Sequence, residues 1–236
     1  MNTPLTNKNA MPVVTIDGPS GTGKGTIAQI MADGLGWHLL DSGALYRLLA
    51  LSAISHHIDL NDINSVTALA RALDVEFRPG DNINADIFLD GKEVSAQIRT
   101  EEMGNNASIV AVIPSVREAL FERQLAFRQP PGLIADGRDM GTVIFPDADL
   151  KIYLTASAKK RAERRHKQLK EKGLSVNIAD LSREIAERDE RDASRTVAPL
   201  KPADDAIVID TSEMTVDEVM QQVNHLLHVN NIKHPD

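Results

Sequence analysis

Cysteine is absent from the 236 residues, which excludes disulfides, thiolate metal sites and a cysteine nucleophile. Aromatic residues make up only 3%, too few for a platform that stacks the bases of single-stranded nucleic acid. An excess of positive charge is missing too. The formal net charge is −8, against the basic surface that a general nucleic-acid or membrane-surface binder needs. No apolar run approaches the roughly 20 residues that span a bilayer, and the opening M-N-T-P-L-T-N-K-N-A lacks the apolar run of a secretory signal. There is no internal repeat or low-complexity tract, and 14 glycines and 11 prolines are ordinary usage for an ordered chain. Hydrophobic residues make up 42%, enough for a substantial core, as one domain with insertions or as two small domains. A cytoplasmic globular protein is expected, with no nucleic-acid or membrane partner.

What is present is an alternation of short apolar runs with helix-period segments. Residues 13–16 read as a first strand. Ile27, Ile30, Met31 and Leu35 then recur on one face of a helix that stops near Gly36. Residues 38–40, 133–136, 150–154 and 206–210 are further buried-type strands, the last followed by a helix carrying Val216, Val219, Met220, Val223 and Leu227. Strands joined by helices imply right-handed crossovers and an α/β fold with a doubly wound parallel sheet of five strands. Ligands of such sheets sit at the carboxyl ends of the strands, where Asp17, Asp41, Asp136 and Asp210 all fall.

Two regions depart from the alternation. From 74 to 99 the pattern is that of short strands, with P-G-D-N and Asp90-Gly91 as turn signals, so a small antiparallel β unit is expected as an insertion after a helix near 62–73. Between 159 and 195 twelve Lys and Arg face eight acids, so positive charge is gathered locally in an acidic chain.

Residues 13–26, V-V-T-I-D-G-P-S-G-T-G-K-G-T, fit the spacing of the phosphate-binding loop G-x-x-x-x-G-K-[S/T], except that Gly25 replaces the hydroxyl residue. Gly18, Gly21 and Gly23 would let backbone N–H groups turn inward around an anion. The following helix N-terminus favours phosphate, and Lys24 reaches it as a point charge. Without the hydroxyl that touches magnesium, a Mg²⁺ ion would be held by substrate phosphates, water and an acid: Asp136, with Asp17 the rival. No N-K-x-D base-reading motif of a GTPase is present. If the acceptor is a second phosphorylated nucleotide, arginines must converge from separate segments. Candidates are Arg47, Arg138 in D-G-R-D-M-G, and Arg188, Arg191 and Arg195 in E-R-D-E-R-D-A-S-R, where Arg188, Asp192 and Arg195 share one helical face.

With I-D-G-P-S-G-T-G-K-G-T (16–26), L-D-S-G-A-L-Y-R (40–47), I-A-D-G-R-D-M-G-T-V-I-F-P-D-A (134–148) and E-R-D-E-R-D-A-S-R (187–195), the chain resembles the bacterial-type cytidylate kinases over about residues 12–228. In that family glycine at position 25 is normal. The resemblance implies a single P-loop kinase domain over 11–228, with a core (11–42, 109–157, 196–228), a monophosphate-binding insertion (43–108) and a short helical lid with its arginine-rich helix (158–195). Residues 1–10 and 229–236 would be flexible tails. It implies ATP as phosphoryl donor with Mg²⁺, and CMP or dCMP as acceptor. Residues Gly18, Pro19, Ser20, Gly21, Thr22, Gly23, Lys24, Gly25 and Thr26 would bind ATP. Ser42, Arg47 and Arg138 would approach the acceptor phosphate; Ser108, Arg117 and Asp139 the cytosine; Arg188, Asp192 and Arg195 the sugar and phosphates. Lys24, Arg138, Arg188 and Arg195 would act in the transfer, Arg161, Arg164 and Arg165 would belong to the lid, and the enzyme would be a monomer. Bland roles stand beside these: Ser42 as N-cap of a 44–55 helix, Ser108 as a small buried residue, the lid arginines as solvated charges. Other P-loop kinases of small molecules or monophosphates, or an ATP-sensing module without catalysis, are the alternative readings.

Overall fold

The computed structural model describes residues 11–78, 86–171, 173 and 176–232. In chain order the elements are β1 (Val13–Asp17), α1 (Lys24–Leu35), β2 (His38–Asp41), α2 (Ser42–Ser55), α3 (Ile63–Ala72), β3 (Val75–Arg78), β4 (Asp86–Leu89), β5 (Lys92–Glu93), α4 (Glu101–Val110), α5 (Pro114–Leu125), β6 (Leu133–Gly137), β7 (Leu150–Thr155), α6 (Ala158–Glu171), α7 (Ile178–Ala193), β8 (Ile207–Asp210) and α8 (Val216–Val229).

Five strands form one sheet in the order β2-β6-β1-β7-β8, every neighbouring pair parallel. The central strand β1 is buried at all five positions, and its period-2 alternation divides the core in two. Val13, with Leu40, Leu133 and Ala135, faces α2 and α5 through Leu45, Leu48, Val116 and Leu120. Val14 and Ile16, with Ile134, Ile152 and Ile209, face α1 and α8 through Ile27, Met31, Val219 and Val223. Helices therefore cover both faces, which is the doubly wound arrangement the alternation implies.

The insertion carries a second sheet, β3-β4-β5, with antiparallel pairing. Asp90 (φ 49°) and Gly91 (φ 73°) turn β4 into β5 with both residues left-handed, as the D-G signal predicts. The expected P-G-D-N turn runs from Pro79 and lies outside the described residues. Ile87, Leu89 and Val94 join the apolar cluster of α2 and α4, which ties the insertion to the sheet side that faces α2.

Three expectations are corrected. The boundaries at 42/43 and 108/109 fall within or against continuous helices, since α2 begins at Ser42 and α4 runs through Ser108 to Val110. The C-terminal tail does not start at 229: Val229 closes α8, and Ile232 is buried against the α1–α8 cluster because its N–H returns to the Leu227 carbonyl (2.9 Å). Residues 1–10 and 233–236 lie outside the described residues. Helix α7 ends at Ala193, where Ser194 caps it and the Leu200 N–H folds back onto the Asp192 carbonyl (2.9 Å), so Arg195 lies beyond the helix.

Candidate active site

The loop between β1 and α1 has the strand–turn–helix geometry that its glycines predict. Gly18 (φ 143°) passes so close to β7 that a Cβ there would lie 2.0 Å from the Leu154 carbonyl oxygen. Gly21 (φ 81°) and Gly23 (φ 95°) are also left-handed, and Gly23 caps α1 with no side chain of its own. Lys24 is the first residue of α1. Its buried ammonium donates to the Pro19 carbonyl (2.8 Å), so the loop's own backbone fixes its position. Burial, and then the neighbouring Arg138 charge, push the Lys24 pKa down. Gly18, Pro19 and Thr22 sit behind the loop. Thr22 donates to the Pro19 carbonyl (3.2 Å), and its own carbonyl accepts from the Thr211 hydroxyl (3.1 Å). Ser20, Gly21, Gly23, Lys24, Gly25 and Thr26 face a cleft of about 810 Å³.

The strand-end acids separate into different roles. Both oxygens of Asp17 accept backbone N–H groups, from Met140 and Gly141, each at 2.8 Å. Burial pushes this carboxyl up to about 7 against the pull of those two donors. Asp41 caps α2 by accepting from the Ala44 N–H (3.0 Å), which removes the capping role from Ser42. Asp210 accepts from the Ser212 backbone and hydroxyl (2.8 and 2.6 Å) and is exposed. Asp136, register partner of Asp41, is left facing the cleft. Its Oδ2 lies 3.5 Å from where a Cβ of Gly25 would be. The hydroxyl that the general motif carries would therefore meet this carboxylate, and Gly25 leaves that space open. Burial raises the Asp136 pKa, and Lys24 opposes the rise. Among the described residues no group of three or more His, Cys, Asp or Glu gathers as a metal cage. A Mg²⁺ ion in this cleft would thus take most of its oxygens from elsewhere, a demand the single free carboxylate fits.

Nine cations line the same cleft, among them Lys24, Arg47, Arg138, Arg165, Arg188 and Arg195. Asp192, 1% exposed on α7, accepts from Arg138 Nε (3.0 Å) and pairs with Arg195. Burial, and then Arg138, push the Arg188 guanidinium down to about 9. The Nε atoms of Arg47, Arg165, Arg188 and Arg195 are buried without a partner. Buried N–H donors without an acceptor are costly, and four of them around one cleft are what a polyanion satisfies. Arg165 pairs with Glu101 at the start of α4, so α6 and the insertion meet across the opening.

On the α5 side, buried Arg117 pairs with buried Asp139, donates to the Ala111 carbonyl (3.3 Å) and lies over the Tyr46 ring (5.7 Å). Ser108 sits between Asp192 Oδ1 and Arg191 Nε, 3.4 Å from each. Ser42 donates to Gln124 Oε1 at 2.6 Å.

Most of the residues expected at a nucleotide site are therefore brought together, and Arg164 joins them while also donating to the Thr211 and Met214 carbonyls. Besides Gly18, Pro19 and Thr22, Arg161 is an exception. It is 4% exposed behind the loop, where it donates to the Ser20 carbonyl (3.1 Å) and the Ala156 carbonyl (3.0 Å) and forms a bidentate pair with Asp189. Its Cβ packs 3.2 Å from the Cβ position of Gly21, so it braces the loop and does not line the cleft as a lid arginine would. Tyr46, Gln124, Glu101 and Gly104 were not among the expected site residues. Gly104 leaves room for Arg188, whose NH1 would be 3.1 Å from a Cβ there. Gln124 had one signal in the sequence: it occupies the third of the buried positions 116, 120 and 124 of α5, a polar letter in an apolar period.

The profile of the cytidylate kinase family matches residues 14–229. The cytidylate kinase of Aeromonas salmonicida (strain A449) is 59% identical over 212 residues, covering 90% of this chain and 92% of its own. That of Shewanella sp. (strain W3-18-1) is 60% identical over 220 residues, covering 93% and 95%. Among solved structures, a gluconokinase from Sinorhizobium meliloti 1021 aligns over 93% of this chain and 94% of its own, with a TM-score of 0.45 and 15% identity.

Proposed function

Because the chain belongs to the cytidylate kinase family, we propose that this cleft transfers the γ-phosphoryl group of ATP directly to CMP or dCMP, giving CDP or dCDP. The observation that carries the reading is the convergence of nine cations from separate segments of the chain, four of them with unpartnered buried N–H groups. Two nucleotides bring several negative charges together, and only such a ring neutralises them.

ATP lies on the 18–26 loop, its phosphates drawing the Lys24 ammonium away from the Pro19 carbonyl. The monophosphate lies between α2, α4 and α5, with Arg47, Arg138, Arg188 and Arg195 around its phosphate. Asp139 accepts from the exocyclic amine of cytosine, and Arg117 and Ser108 donate to its ring nitrogen and carbonyl. Uracil would set a carbonyl against Asp139, leaving two facing acceptors at a cost of about 1–3 kcal/mol. Asp192 orients Arg138 and Arg195 and accepts from the sugar. Asp136 would hold Mg²⁺ through water, and the bound ion would supply charge neutralisation to the phosphates. No general base is needed, because the second pKa of a monophosphate is about 6 and the acceptor is already largely dianionic near neutral pH. The insertion between β2 and β6 and the α6–α7 pair with Arg164 and Arg165 close over the substrates and exclude water. All of these groups come from one chain, so a monomer suffices, working in the cytoplasm on free nucleotides.

A coupled assay of ADP release against CMP, dCMP, UMP and AMP tests the acceptor. CMP and dCMP are expected to exceed UMP by roughly 10-fold or more in kcat/KM, and AMP by more. Equal rates with UMP would remove the role given to Asp139, and ATP binding with no acceptor-dependent ADP release would favour a sensing module. For the donor loop, Gly18→Ala is expected to cost about 1–3 kcal/mol of strain, raising the ATP Kd roughly 10- to 100-fold by calorimetry. An unchanged Kd would mean that the approach of Gly18 to Leu154 does not shape the loop.

A further inference from the structure

Gln124 is 1% exposed on α5 and belongs to no nucleotide-binding motif, yet it touches Ser42 at the wall of the cleft. Its Oε1 lies 2.6 Å from the Ser42 hydroxyl, and its Nε2 is 3.4 Å from the Leu120 carbonyl. Tyr46, four residues after Ser42, stands on the same face of α2. The orientation of the amide follows from these contacts. A separation of 2.6 Å suits O–H···O rather than N–H···O, and the Leu120 carbonyl requires a donor opposite it. Ser42 therefore spends its only proton on Gln124 and turns its lone pairs to the cleft. Tyr46 in turn carries Arg117 over its ring, and Arg117 carries Asp139.

We propose that Gln124 is a positioning residue for the monophosphate side of the cleft: its buried carboxamide sets the hydrogen-bonding sense of Ser42, one helical turn before the Tyr46 ring that supports the Arg117–Asp139 pair. It touches no substrate itself. Its consequence is that Ser42 meets the acceptor nucleotide as a hydrogen-bond acceptor, facing a ligand hydroxyl or an arginine N–H and not an unprotonated phosphate oxygen. The donor loop shares none of these contacts. The inference rests on the proposed CMP site.

Gln124→Met keeps the volume and removes both amide groups. Its KM for CMP is expected to rise about tenfold, while the KM for ATP stays within twofold and kcat within about threefold. Ser42→Ala combined with Gln124→Met should be no worse than the more severe single variant, because both remove one hydrogen-bonded unit. A residue that only fills the core would instead lower Tm, leave the KM ratio of CMP to ATP unchanged and give additive effects with Ser42→Ala; that result overturns the proposal. If Gln124→Met does not fold, Gln124→Asn, whose carboxamide is one methylene shorter, takes its place in the cycle with Ser42→Ala. Non-additive KM values for CMP support the proposal and additive ones overturn it. Wild-type protein that releases no ADP with CMP would refute the CMP site itself, whereas active wild type with a wild-type-like Gln124→Met refutes the positioning role alone.

Discussion

Lys24→Met is expected to lower kcat for ADP release on the order of 10³-fold while leaving the fold intact, because the ammonium is used for transition-state charge and little else. Its one hydrogen bond in the structure is to the Pro19 carbonyl (2.8 Å), a contact worth about 1 kcal/mol. Against that, burial and Arg138 disfavour its charge, so an apolar chain of similar length relieves a repulsion as it loses the bond. Thermal unfolding of the variant should therefore stay near that of the wild type, and its affinity for CMP should persist. Near-wild-type transfer by a variant that binds both nucleotides would contradict the role of the loop.

Asp192→Asn should have the largest effect on stability. The carboxylate is buried between Arg138 and Arg195, with Arg188 beside them, and removing one partner of a buried ion pair costs about 3–5 kcal/mol. The effect has a pH signature. Burial pushes the Asp192 carboxyl up, but Arg138 and then Arg195 outweigh it, so the folded-state pKa lies below the ordinary carboxylate range. A carboxyl depressed on folding contributes its stability in full above the unfolded pKa of about 3.9 and loses it as pH falls through the folded value. Urea unfolding of wild type and variant should therefore differ most near neutral pH and converge below about pH 4. A constant difference across that range would mean that Asp192 stabilises by shape and not by charge.

The core sheet was legible because its signals are local. Five short apolar runs, four of them ending at an aspartate, become β1, β2, β6, β7 and β8, each within about a residue of its expected bounds, and the central β1, β6 and β7 read as near-continuous apolar letters because they are mostly buried. The phosphate loop was equally plain, as its glycines are required by backbone conformation and not by distant partners. What depends on tertiary pairing was not. Arg161 reads like Arg164 and Arg165 in R-A-E-R-R, and only the positions of Asp189 and Ser20 reveal that it braces the loop. Asp17 and Asp136 look alike at strand ends, yet the turn after β6 delivers two backbone N–H groups to one of them and none to the other. Arg195 fits a helical face by spacing, but the chain leaves the helix two residues earlier and the ion pair with Asp192 forms all the same. Gln124 acquires its partner, Ser42, from a helix 82 residues away in sequence.

The proposed reaction is direct transfer between two nucleotides held in one cleft. Following ATP labelled at the γ-phosphorus through a single turnover with CMP tests it most directly. The label is expected in the β-phosphate of CDP, in step with ADP and with no phosphorylated protein on the way. Label released as inorganic phosphate, or retained on the chain, would contradict it.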